Sequence, residues 1–271
     1  MSTRPLTGSL FRMIDRIARG VRREPTPRRE RLVFSDDPPV IYAIGDVHGS
    51  LELLTAVEEQ IARDEPGHAG EKLIVMLGDY VDRGPKSAQV LDHLLTSPGP
   101  GLRRLCLAGN HEDAMLAFMR DPAANADWLG FGGIETLNSY GISLSSLDKS
   151  RLTRPRLPNL LASHIPPEHV TFLAGLPVLI ETPSYIFTHA GLRAGVSVAD
   201  QQDQDLMWGG GDISEAFEGF GKTVVHGHIQ QTEALVTRSR IALDTGAYAT
   251  GRLTAVRLAS GQPPKILASN P

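Results

Sequence analysis

With a single cysteine, Cys106, the chain cannot close an intramolecular disulfide, so a disulfide-framed secreted scaffold is excluded. Cys106 lies in the apolar run Leu105-Cys106-Leu107, which reads as a buried strand with no adjacent cation to lower the thiol pKa; a reducing cytoplasm is the setting it fits. Also lacking is any apolar run long enough to cross a bilayer, any small-residue cleavage site behind an apolar leader, and any internal repeat. An excess of one charge is missing too: the formal net charge is -4 over 271 residues, with no nucleic-acid footprint over the chain as a whole. What is there is globular in composition, 41% hydrophobic and 21% charged, with enough apolar residues for a sizeable core.

The small net charge conceals one asymmetry: residues 1–31 hold nine arginines against three acids. Within them Leu10, Phe11, Ile14, Ile17, Ala18 and Val21 recur at helical spacing, with Arg12, Arg16, Arg19, Arg22 and Arg23 largely opposite. This predicts a short basic amphipathic helix over residues 9–23, with weak membrane-surface or partner contact as the functional reading and simple docking on the main domain as the bland one. Pro25 and Pro27 end it, and residues 24–39, dense in proline and charge, read as a linker. The expected division is an N-terminal extension over 1–39 and a catalytic domain over 40–271.

The domain opens with the apolar run VIYAIG at 40–45, then Asp46, Val47, His48 and Gly49, and a helix with Leu51, Leu54, Val57 and Ile61 on its apolar side. A strand over 73–77 runs into GDYVDRG, a helix follows over 87–95, and a strand over 102–107 ends in AGNHED. Strands alternating with helices predict an α/β arrangement, in which ligands gather beyond the carboxyl ends of the strands. Periodicity fades over about 125–167, read as a helical and loop insert in which Trp128 and Tyr140 are packing residues. Order returns with a helix over 168–173, strands near 178–180 and 185–188, and a β-rich last third: KTVVHGHI, EALVT, RIALDTGAY and LTAVRLA.

The chemistry-bearing residues collect where strands end. These are Asp46 and His48; Asp79, Asp82 and Arg83; Asn110 and His111; His189; and His226 and His228. Carboxylates, imidazoles and one amide, without thiolates, suit Mn, Fe or Zn. Asp79 is the candidate bridge between two ions; Asp46 and His48 can point to one, while Asn110, His189 and His228 can close around the other. His68, His93, His164 and His169 are not spaced for metal.

Taken together, GDVHG at 45–49, GDYVDRG at 78–84, GNHE at 109–112, HAG at 189–191 and HGH at 226–228 resemble, in family order, the calcineurin-like metallophosphoesterases. Within these, the chain is similar to the bacterial branch of serine/threonine phosphoprotein phosphatases. The resemblance implies two packed mixed β-sheets flanked by helices, in four layers, and two divalent ions, with Mn the first expectation. It implies Asp46, His48 and Asp79 as ligands of one ion and Asp79, Asn110, His189 and His228 as ligands of the other, with His226 a further candidate. It implies His111 as general acid oriented by Asp82, Arg83 and Asn110 as phosphate contacts, and phosphomonoester hydrolysis by in-line attack of a metal-bound hydroxide.

Two departures bear on substrate. The segment DLMWGGGD at 205–212 lacks the arginine that relatives carry after the tryptophan, leaving Arg193 in HAGLRAGV as the nearby substitute, and the GGG at 209–211 reads as a loop near the mouth. The expected substrate is a phosphorylated protein or a small phosphoester or nucleotide. One alternative is symmetrical diadenosine tetraphosphate hydrolysis or another nucleotide phosphohydrolase activity; against the first, such hydrolases carry alanine in GDLVARG where this chain has Asp82. The other is a catalytically silent, metal-stabilised binding module, which the presence of every bridging and dyad residue disfavours.

Overall fold

The computed structural model describes residues 28–64, 70–143, 157–209 and 219–269. The basic stretch 9–23, with its expected membrane contact, lies outside them, as do 210–218 and part of the insert.

The VIYAI run forms β2 (Val40–Ile44), buried along its whole length, and pairs in parallel with β3 (Lys72–Met76), which pairs in parallel with β4 (Leu102–Cys106). On the other side of β2, β10 (Thr254–Ala259) and β11 (Lys265–Ala268) add antiparallel, giving the order β11-β10-β2-β3-β4. The second sheet is built from β1 (Arg31–Val33), β5 (Leu179–Glu181), β6 (Tyr185–Thr188), β7 (Thr223–His226), β8 (Leu235–Val236) and β9 (Arg240–Ala242), in the order β1-β5-β6-β7-β9-β8. Both sheets are mixed.

Strand alternation decides what each side chain meets. Ile41 and Ala43 of β2 and Leu73 and Val75 of β3 pack against Ile180, Phe187, Val225 and Ile241 of the second sheet, so the two sheets share a core. The residues between them, Tyr42, Ile44, Ile74 and Met76, face α1 (Leu51–Arg63) and α2 (Ser87–Leu95) through Leu54, Val57, Ile61, Val90 and Leu91. The outer helical cover continues with α3 (Asn110–Arg120), a 3-10 turn (Ala126–Phe131), α4 (Gly133–Ser139), α5 (Leu157–His164) and α6 (Pro167–Gly175), then α7 (Asp203–Trp208) and the short α8 (Ala247–Thr250). The result is the two-sheet, helix-flanked architecture expected.

Three elements differ from the sequence reading. Part of the expected linker is strand: β1 pairs in parallel with β5, Arg31 binds the Asp203 carboxylate at 2.8 Å, and Arg29 donates to the carbonyls of Leu173 and Leu176 at 3.0 Å. Three residues are too short to show period two, and side-chain contacts of Arg29, before the strand, and Arg31, its first residue, help fix them. The helix α3 begins at the polar Asn110-His111-Glu112-Asp113, which masks its apolar face in sequence. The last strand, β11, is only partly buried, and its apolar run is just Ile266-Leu267-Ala268.

Candidate metal centre

The non-glycine residues with positive φ among the described residues are His48 (43°), Asp79 (52°), Asp82 (74°), Arg83 (67°) and His228 (61°). All five are candidate site residues at strand-to-loop junctions. Such backbone costs on the order of 1–3 kcal/mol per residue and persists only where the surroundings over-determine it. At Asp79, Glu112 supplies the restraint. Its buried carboxylate accepts from the backbone N–H groups of Gly109 (2.8 Å), Asp79 (2.9 Å), Tyr80 (2.7 Å) and Val81 (3.3 Å). The backbone also needs two glycines: a Cβ at Gly109 would strike Asp79 Oδ1, and one at Gly227 would strike Asp46 Oδ1.

Asp79 is the centre. Its Oδ2 lies 3.3 Å from His189 Nε2, 3.5 Å from His48 Nε2 and 3.9 Å from His111 Nε2. The far nitrogens of two of these rings are fixed by carbonyls: His48 Nδ1 donates to Val81 O and His189 Nδ1 to Leu77 O, each at 2.9 Å. That directs both Nε2 atoms inward, the arrangement in which imidazole, once deprotonated there, serves as a ligand. His48 Nε2 is buried without a hydrogen-bond partner. Asn110 Oδ1 lies 2.9 Å from both His189 Nε2 and His228 Nδ1, and the Asp46 carboxylate accepts from His228 N at 3.0 Å. Two groups therefore could hold a cation, His48-Asp79-His111 and Asp79-His189-His228, and they share Asp79. The sequence grouping did not place His111 beside His48 and Asp79.

The electrostatics ask for positive charge. Burial, then Asp244, push the Asp46 carboxyl well above its usual range. Burial would raise Asp79 as well, but the imidazoles of His189 and His111 outweigh it and hold the group well below. Burial opposes a charge on His189, yet Asp79 and Asp46 raise it to about 10. Several carboxylates in one buried volume with an orphaned imidazole nitrogen form a donor set that fits a hard or borderline divalent ion.

Beside this cluster, His111 Nδ1 lies 2.6 Å from Asp82 Oδ2, and Arg83 Nη2 lies 3.1 Å from His111 Nε2. The Arg83 guanidinium sits 5.0 Å from the ring centre of Tyr248, and the rings of Phe131 and His111 meet in a T-shaped contact with centres 5.0 Å apart. The aspartate–imidazole–guanidinium row thus adjoins Asp79.

Two candidates take other partners. His226 Nε2 accepts from Arg240 Nε at 2.8 Å and its Nδ1 lies 2.9 Å from Gly227 O, so both ring nitrogens are engaged away from Asp79; burial, then Arg240, lower it to about 3. Arg193 pairs with Asp205 at 3.0 Å, and its N–H is held by Gln201. His169 bridges Tyr140 and Asp92, and His93 pairs with Glu58, both structural roles; His68 lies outside the described residues. Sequence reasoning missed Glu112, Asp244, Tyr248 and Thr136, and took Trp128 for packing alone. Trp128 does pack, at 4.7 Å from Phe118, but its indole N–H also donates to Asp82 Oδ2 at 2.8 Å. The available signal was general: a buried tryptophan seeks a partner for its N–H.

The calcineurin-like phosphoesterase family model matches residues 39–251. A bis(5'-nucleosyl)-tetraphosphatase PrpE (asymmetrical) of Oceanobacillus iheyensis is 25% identical, covering 80% of this chain and 88% of the relative. Serine/threonine-protein phosphatase 2 of Escherichia coli is 23% identical, covering 79% and 90%. A serine/threonine phosphatase structure from Saccharomyces cerevisiae superposes with a TM-score of 0.58 at 14% identity, covering 97% of this chain and 88% of that one.

Proposed function

The chain belongs to the calcineurin-like phosphoesterases and is a hydrolase of phosphoester bonds, and from that premise we propose that it is a binuclear metal-dependent phosphomonoesterase acting on serine or threonine phosphate esters. Asp46, His48 and Asp79 would hold one divalent ion, and Asp79, Asn110, His189 and His228 the other. The carbonyl-fixed tautomers of His48 and His189 and the unpartnered His48 Nε2 support this assignment. When bound, the ions supply Lewis acidity toward phosphate oxygens and toward water.

The chain's own residues do the rest. Arg83 presents a planar fork to two phosphate oxygens, and Tyr248 beneath it limits where the fork can swing. His111 Nε2 delivers a proton to the leaving oxygen, and Asp82 fixes the tautomer that carries Nδ1–H and stabilises the imidazolium. Arg83 Nη2 and His111 Nε2 are 3.1 Å apart, so one phosphate group reaches both.

The observation that carries the substrate class is the 2.6 Å contact between Asp82 and His111. A serine or threonine leaves as an alkoxide, a strong base that departs only when protonated, whereas a nucleotide phosphate leaves as a stable anion. A dedicated proton donor with a buried carboxylate behind it suits the former. Parallel assays with Mn on a phosphoserine peptide and on a dinucleoside tetraphosphate test this: the peptide is expected to be cleaved, and His111→Asn to slow it by about 10²–10⁴. Cleavage of the dinucleotide alone would overturn the assignment. That second reading has its own support in the Oceanobacillus relative, and the nucleotide products would distinguish symmetrical from asymmetrical cleavage.

A further inference from the structure

We propose that the segment 126–142 is the positioning element of the proton donor, with Trp128 and Thr136 holding Asp82, and through it His111, in a single orientation. This rests on the reading of His111 as proton donor.

Asp82 is fully buried, and each carboxylate oxygen has its own anchor from this segment. Oδ1 accepts from Thr136 Oγ1 at 2.6 Å; Oδ2 accepts from Trp128 Nε1 at 2.8 Å as well as from His111 Nδ1 at 2.6 Å. With a separate donor on each oxygen, the carboxylate plane cannot rotate about its stem, and the imidazole bound to Oδ2 is fixed with it. The indole N–H is a donor with no acceptor capacity, so its direction is unambiguous.

The same segment holds the backbone. Asp82 N donates to Thr136 Oγ1 at 2.8 Å and to Ser87 Oγ at 3.1 Å, while Arg83 N donates to Gly132 O at 3.3 Å. Asp82 and Arg83 are consecutive non-glycine residues at positive φ, a conformation that needs such restraint. A Cβ at Gly132 would come within 2.6 Å of Arg83 N, so the segment approaches the loop as closely as backbone allows. Phe131 from this segment also rests its ring against His111. Side chain, main chain and ring contacts therefore converge on the pair that donates the proton and grips phosphate.

If Trp128 and Thr136 position the donor, removing either weakens proton delivery, and proton delivery matters more as the leaving group becomes more basic. The test measures kcat, in the Mn-loaded full chain, over a series of aryl phosphates of rising leaving-group pKa, ending with an alkyl phosphate. Trp128→Phe keeps a ring but loses the N–H; Thr136→Val keeps the shape but loses the hydroxyl. Each is expected to slow the alkyl ester by about tenfold and p-nitrophenyl phosphate by no more than about twofold, so that the leaving-group dependence steepens.

A uniform loss across the series, or no loss, would overturn the proposal. So would equal steepening in Ile61→Ala, a packing change at a fully buried apolar residue of α1, outside the segment. His111→Asn separates the two levels of inference. If it leaves the slope unchanged, the proton-donor reading fails. If it steepens the slope while Trp128→Phe and Thr136→Val do not, only the positioning role fails. Should Trp128→Phe not fold, the near-isosteric Thr136→Val carries the test.

Discussion

Glu112 shows how much one side chain can decide at the centre of a site. Burial, then the charge of Asp79, push its carboxyl up to about 7, yet four backbone N–H groups converge on its two oxygens. Removing it leaves those donors buried without partners and releases the positive-φ turn at Asp79. Glu112→Ala is expected to destabilise the fold by on the order of 3–5 kcal/mol, read from the urea midpoint, with Glu112→Gln intermediate because its carbonyl still accepts. By contrast, burial pushes the Cys106 thiol up to about 12, which favours the protonated form.

At the scale of elements, the short strand β1 is held by arginines at its start as well as by its ladder with β5. Arg29 donates to the carbonyls of Leu173, Ala174 and Leu176, satisfying the last turn of α6, where the helix dipole also favours a cation. Arg29→Ala is expected to cost about 1 kcal/mol, measured by chemical denaturation. The segment 126–142 works in the same way on a different target, as a set of donors and a close-packed glycine directed at the Asp82–Arg83 loop. Neither role shows in hydrophobic periodicity, because a capping arginine and a donor tryptophan act outside their own element.

For the molecule as a whole, the seam between α1 and the first sheet carries an acid-sensitive contribution. Asp64, just past α1, accepts from Tyr42 on β2 (2.8 Å), Arg257 on β10 (3.0 Å) and Lys265 on β11 (2.7 Å). Burial would raise its pKa, but the hydrogen bonds from Lys265, Tyr42 and Arg257 prevail and bring it down from 3.8 to about 2. A carboxyl whose folded pKa is depressed stabilises the fold above its unfolded pKa and loses that contribution as pH falls through the folded value. Stability is therefore expected to decline between about pH 4 and pH 2, and Asp64→Asn to flatten that part of a Tm-against-pH profile.

The sequence by itself determined the strand-to-loop junctions and the residues they carry. VIYAI needs no tertiary information to read as a buried strand, and Asp46, Asp79, Asn110, His189 and His228 each follow such a run within a few residues. The two-sheet architecture followed from the motifs through the family they resemble. Only the tertiary structure decided which groups meet. Asp79 lies beside His189, Trp128 beside Asp82 and Glu112 beneath the Asp79 loop because the sheet order and the helical cover bring distant segments together. His226 and His228, two residues apart in one motif, part company for the same reason: the neighbouring strand β9 places Arg240 against His226, while the turn at Gly227 carries His228 to Asn110. Local sequence can specify a turn and its polar cargo, but a buried hydrogen bond also needs its partner, and here the partners come from elsewhere in the chain.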